Sequence, residues 1–215
     1  MEPSHARKYS NFEIEVIVAK ILKESYPIDL NIPIGIDWIA ENNPLVDDIV
    51  PIELLEDKFN IAAVLTCKPN GHFDILVDED TLDSQPWRAN FSIAHEFGHI
   101  VLHSKVCQHC KTIQDSIELR NRISRSYSFI ERNANYFAGA ILIPQKTLHN
   151  DIVKLYEGLT HLYGYDINLL SSKLCSRLAE RYCVNLQPME IRLKELSLKN
   201  KILSALRTQS PYLDI

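Results

Sequence analysis

The chain has 215 residues, of which 46% are hydrophobic and 24% charged, with only six glycines and a formal net charge of −5. That length suits one ordinary globular domain, or a domain with a small appendage, and the composition excludes low-complexity and fibrous classes. The acidic balance excludes a protein that coats nucleic acid or anionic membrane as a whole.

In Met1-Glu2-Pro3-Ser4-His5 no basic stretch leads into an apolar one, so the start does not read as a signal peptide, and no apolar run reaches bilayer length. Five cysteines are an odd count for a disulfide framework and, with the missing signal, point to a reducing cytoplasm. Residues 1–10 read as frayed. Residues 12–25 predict an amphipathic helix, with Phe12, Val16, Ala19 and Leu22 at helical spacing. Two short segments broken by Pro27, Pro33, Pro44 and Pro51 follow, and 52–58 suits a short helix. Ile61 to Cys67 reads as a strand, Lys68-Pro69-Asn70-Gly71 is turn chemistry, and Phe73 to Val77 is a second strand, so 61–78 predicts a hairpin in a small twisted sheet. The acidic Asp78-Glu79-Asp80 is either a solvated strand end or a patch that favours a basic substrate.

Ser84 and Pro86 mark a helix start, and Trp87, Phe91, Ala94, Gly98 and Val101 then recur in steps of three or four, predicting one buried helix over 86–104. A polar, cysteine-bearing loop is expected over 105–127. A second buried helix is expected over 128–142, closed by Pro144, and 145–208 is helical in pattern. Residues 171–207 carry eight basic and three acidic residues, a local net of +5 that leaves −10 for the rest of the chain.

His95 and His99 are four apart, which on a helix sets both imidazoles on one face, able to meet one ion. Glu96 lies ~100° around the axis from His95 and can reach a metal-activated water without binding the metal. It is the candidate general base, taking a proton and later giving it to the leaving amine. Gly98 keeps the helix slim beside the metal. The competing reading is a chance motif on a surface helix, but two histidines and a glutamate within so apolar a helix are costly without partners. A catalytic zinc needs a third protein ligand and an open fourth position. Glu131, four residues before Asn135 on the second buried helix, is either that ligand or an ordinary exposed first-turn glutamate; Asn135 would then orient a ligand histidine from behind.

These stretches, Phe91-Ser92-Ile93-Ala94-His95-Glu96-Phe97-Gly98-His99-Ile100-Val101-Leu102-His103 and Glu131-Arg132-Asn133-Ala134-Asn135-Tyr136-Phe137-Ala138-Gly139-Ala140-Ile141-Leu142-Ile143-Pro144, resemble the paired signatures of the ImmA/IrrE metallopeptidases. Weaker likeness extends to Val184-Asn185-Leu186-Gln187 and Ile191-Arg192-Leu193-Lys194-Glu195-Leu196, so the resemblance covers roughly 45–197. The resemblance implies His95, His99 and Glu131 as zinc ligands and Glu96 as general base. The family often has Glu where this chain has Asn133, which leaves Glu131 the better candidate. It also implies a protein substrate, a helix-turn-helix transcriptional repressor cut at one or few sites in mobile-element or stress-response regulation. A physical route is β-augmentation, the target lying along the edge of the strand Phe73, Asp74, Ile75, Leu76, Val77.

Other features have bland alternatives. His103 either backs the site as a supporting residue or packs beneath the helix. Cys107-Gln108-His109-Cys110 has zinc-knuckle spacing but lacks a second pair, which favours free thiols. Tyr127 and Tyr136 either stabilise an oxyanion or pack. The segment Leu178 to Asn185 and the helix after it resemble a helix-turn-helix, so the rival reading is a DNA-binding or repressor-docking module with a non-catalytic metal. A third reading is a hydrolase of small amides or a formyl group, which usually takes a distant cysteine or histidine in place of Glu131.

The sequence therefore predicts an α+β fold: a small twisted sheet packed on a zincin-like helix, with a helical C-terminal part. Its expected divisions are 1–44 (N-terminal helical segment), 45–145 (catalytic domain) and 146–215 (helical region). The expected function is a cytoplasmic endopeptidase with one Zn2+ per chain, though another divalent ion suits the same donors. No membrane partner is expected, and direct contact with DNA is expected only through the basic C-terminal helices.

Overall fold

The computed structural model describes residues 6–53, 61–126, 128–163 and 167–197. Among these the fold is α+β: one three-stranded mixed sheet and nine helices, divided into two compact units, residues 1–142 and 143–215.

In the first unit, α1 (Asn11–Ser25) starts at a capping box in which Ser10 and Glu13 satisfy each other's backbone N–H. Its buried stripe is Ile14, Val18 and Leu22. The expected stripe was offset, because Phe12, Val16 and Ala19 are exposed. Residues 6–10 are not frayed: Arg7 pairs with Glu13, and the backbone of Tyr9 is held at both its N–H and C=O by the Asn133 carboxamide (3.2 and 2.9 Å). Helix α2 (Ile36–Glu41) leads into β1 (Val46–Ile52), a strand that the sequence reading missed. The short helix expected over 52–58 falls mostly outside the described residues.

β2 (Ala63–Cys67) and β3 (Phe73–Asp78) form the expected hairpin, with Gly71 at φ 89, where the absence of Cβ relieves the strain. The sheet order is β1-β3-β2, with β1 parallel and β2 antiparallel to β3. β3 is thus the central strand, hydrogen-bonded on both sides. It offers no free edge, so Phe73, Asp74, Ile75, Leu76 and Val77 cannot be the strand along which a substrate pairs. Asp78 is no solvated strand end either. It is buried and caps α3 (Glu79–Ser84) by accepting from Thr81 N and Oγ1, both at 2.8 Å.

Helix α4 (Pro86–Cys107) starts at Pro86 and is continuous to a kink at His103, where φ is −135°. The region expected to be a loop over 105–127 instead holds the end of α4 and a further helix, α5 (Ile113–Ser126). Helix α6 (Ser128–Leu142) packs along α4. At Gly98 the helices are in close contact: an added Cβ would lie 3.0 Å from Phe137 Cδ1 and 3.2 Å from its Cβ. The glycine therefore makes room for α6. Gly98→Ala forces one helix outward and is expected to cost about 1–3 kcal/mol. Denaturant unfolding checks this, and an unchanged midpoint would show that Phe137 yields freely.

The second unit holds α7 (Gln145–Tyr163), α8 (Ile167–Tyr182) and α9 (Leu186–Glu195). Buried Asp151 joins α7 to α8 by accepting from Arg181 Nε at 2.6 Å and Tyr182 Oη at 3.0 Å. Arg192 is fully buried and donates from Nε to the Ile143 carbonyl at 3.1 Å. Among the described residues, no helix is long and apolar enough to cross a membrane.

Candidate metal centre

Helix α4 is apolar enough to be buried along most of its length, which carries His95, Glu96 and His99 inward; each is only 6% exposed. Glu131 enters from the first turn of α6, where the close α4–α6 contact at Gly98 holds the two helices together. Donor atoms of His95, His99 and Glu131 lie within 4.8 Å of one another. The individual separations are 3.0 Å between the two Nε2 atoms, 3.3 Å from His95 Nε2 to Glu131 Oε2 and 3.6 Å from His99 Nε2 to Glu131 Oε1. A tetrahedral ion with zinc-like bonds sets its protein donors roughly 3.3 Å apart, so this donor set fits one divalent ion.

The protonation pattern agrees. His95 Nδ1 lies 3.1 Å from Asn135 Oδ1, and since that oxygen only accepts, Nδ1 carries the proton. The other ring nitrogen, Nε2, faces His99 Nε2 and Glu131. Burial pushes His99 down to about 3, helped by the His95 charge. For Glu131, burial pushes upward, but the hydrogen bond with His95 and the charges of His99, His95 and Arg120 outweigh it and hold the carboxyl at about 2. For His99 and Glu131 these directions favour the unprotonated imidazole and the ionised carboxylate, the forms that bind a metal.

Glu96 lies in the same cavity of about 30 Å³, with Leu65, Ser116, Ile117 and Arg120 also in its wall. Burial raises its carboxyl to about 6, against the opposing charges of His95 and Arg120 and a hydrogen bond from the Leu65 N–H. Ordinary carboxylates titrate lower.

His103 packs beside this group, its ring 6.4 Å from that of His99 and edge-on to Tyr9 at 5.7 Å. Among the described residues neither of its ring nitrogens has a hydrogen-bond partner, and burial lowers it to about 4. Asn133, which stands where the resembling family often has Glu, is committed to the Tyr9 backbone. The Tyr136 hydroxyl donates to Glu15 at 2.8 Å, and Tyr127 lies outside the described residues. Cys107 and Cys110 are buried at the end of α4, and among the described residues no third ligand completes a cluster with them. The sequence reading missed Arg120 and Ser116, which α5 brings to the cavity wall. The signal was present in Thr112-Ile113-Gln114-Asp115, where Thr112 and Asp115 cap each other's backbone N–H as a helix start.

A sheet laid on a helix that carries His-Glu-x-x-His, with a carboxylate supplied from the adjoining helix, defines a peptidase-type candidate metal centre. Comparison with known families agrees: the model of the Peptidase M78 family, described as the IrrE N-terminal-like domain, matches residues 82–194, more than half of the chain. The chain belongs to this family, that of the ImmA/IrrE-type peptidases, and the match spans both signature helices. No curated protein matches it.

Proposed function

We propose that the protein is a zinc-dependent endopeptidase that cuts a protein partner, a transcriptional repressor of the helix-turn-helix type. The observation that carries the reading is the trio of donors 3.0–3.6 Å apart with the Glu96 carboxylate buried beside them. The repressor as substrate rests on the family alone.

His95, His99 and Glu131 would hold the ion, and Asn135 would fix the His95 ring through Nδ1. A zinc ion held there supplies Lewis acidity, polarising the scissile carbonyl and acidifying water toward ~7. The Glu96 carboxylate takes the proton of the attacking water and passes it to the leaving amine nitrogen as the peptide bond breaks. The apolar wall of Ile61, Val64, Leu65 and Ile123 keeps bulk water from the reacting atoms.

The rival reading, a DNA-binding module, draws on the basic second unit. There Arg181 is committed to Asp151, Arg177 pairs with Glu180, Lys173 lies over the Tyr163 ring and Arg192 is buried, which leaves fewer free cations than the sequence suggests. Lys199, Lys201 and Arg207 lie outside the described residues.

The test is incubation of the zinc-loaded protein with a helix-turn-helix repressor, with and without a chelator. Discrete fragments that form with zinc and vanish with chelator are expected. A repressor left intact by zinc-loaded protein would reject this substrate class.

A further inference from the structure

We propose that the segment from Cys110 through α5 is a strap closing the substrate edge of this site, and that an extended polypeptide reaches His95, His99 and Glu131 only when the strap lifts from β2. The proposal rests on the peptidase reading and adds its regulation.

The argument starts from the sheet. A substrate strand needs a row of free N–H and C=O groups, spaced every second residue along an outer strand. With β3 paired on both sides, β1 and β2 are the outer strands among the described residues, and β3 separates β1 from β2. The wall of the site draws on Val64 and Leu65 of β2 and on no residue of β1 or β3. The edge bordering the candidate metal centre is therefore that of β2.

That edge is taken. Cys67 N–H donates to the Cys110 carbonyl at 2.6 Å. The Leu65 carbonyl accepts from the Ser116 hydroxyl, and Ser116 is itself buried. Both contacts come from the strap. Ser116, Ile117 and Arg120 then wall the cavity on the same side.

The strap is fastened by apolar contacts as well as polar ones. Ile113 and Ile117 pack on the Ile61–Val64 cluster, and Leu119 and Ile123 join Val106 and Ile130. Its N-terminal turn is closed by Asp115, which accepts from Lys111 N, Thr112 N and Thr112 Oγ1. The outward face of α5 is polar, so the helix can stand in water when lifted, while the groups it releases are those that a strand would engage. Covering an edge also protects it from aggregation, and the two roles give different results.

Ser116→Ala removes one strap contact with a minimal change of shape, and Ile117→Ala loosens an apolar anchor independently. Each full-length variant, loaded with zinc, is measured for hydrogen exchange at the Cys67 amide and for cleavage of unfolded casein and of a helix-turn-helix repressor. Faster exchange with cleavage raised about fivefold per lost hydrogen bond is expected, and abolished by adding Glu96→Gln. Faster exchange with unchanged cleavage overturns the strap as a gate and leaves the peptidase intact, the cover being protective alone. Faster exchange with neither substrate cut by any zinc-bound form overturns the peptidase reading and the gate with it. Exchange unchanged in both variants shows that these contacts do not hold the edge, and also overturns the proposal.

Discussion

Glu96→Gln is expected to retain its metal and lose cleavage by ~100- to 10,000-fold. The carboxylate occupies a buried place in the cavity beside the donor trio without being one of the three. Its raised value of about 6 comes first from burial, and that matches proton affinity to the task of taking a proton and then giving it up. Gln has the same shape, so the fold and the three donors are undisturbed. It cannot accept the proton. Elemental analysis gives the metal content and initial rates give the cleavage. A variant cleaving within a few-fold of wild type would remove Glu96 as the base, while a variant that loses its metal would make it a ligand.

Much of this site is legible in the sequence because its signals are local. Four-residue spacing put His95 and His99 on one helix face, and likewise Glu131 and Asn135; the contact between Asn135 and His95 links the two helices. The hairpin was legible because Lys68-Pro69-Asn70-Gly71 needs a positive φ at one position and supplies a glycine there. What was lost depended on partners remote in sequence. β1 alternates poorly and contains Pro51, a residue tolerated on an outer strand but one that hides it. Without β1, β3 read as an edge, although it is the central strand of the sheet. α5 was lost for a different reason: Ile113, Ile117, Leu119 and Ile123 are its only apolar residues, set among charged and hydroxylic ones, so the stretch read as a loop. In α1 two apolar stripes compete, and packing against α6 selects the one containing Ile14 and Val18.

Glu131→Ala carries the other large expected effect: wild-type protein is expected to hold about one zinc per chain, and the variant to bind it more than ~100-fold more weakly. Changing a residue that merely orients a ligand typically costs 10–100-fold in affinity, and Glu131 supplies a donor atom together with the negative charge of the trio. Two imidazoles with Nε2 atoms 3.0 Å apart remain, a pair that meets an ion on one side only. The variant is not expected to unfold, because the Glu131 side chain keeps 18% of its surface in solvent and its helix is held by Ile130, Ala134 and Phe137. Glu131→Gln separates charge from shape: its amide oxygen stays within reach of the ion but binds it weakly, so intermediate affinity is expected. His99→Ala should behave as Glu131→Ala does. Metal titration beside elemental analysis reads all three. Zinc retained at one per chain in Glu131→Ala would move the third ligand elsewhere, with the buried Cys107 and Cys110 thiols next to be tested; loss in all three variants leaves an open fourth position as the place where substrate and water meet.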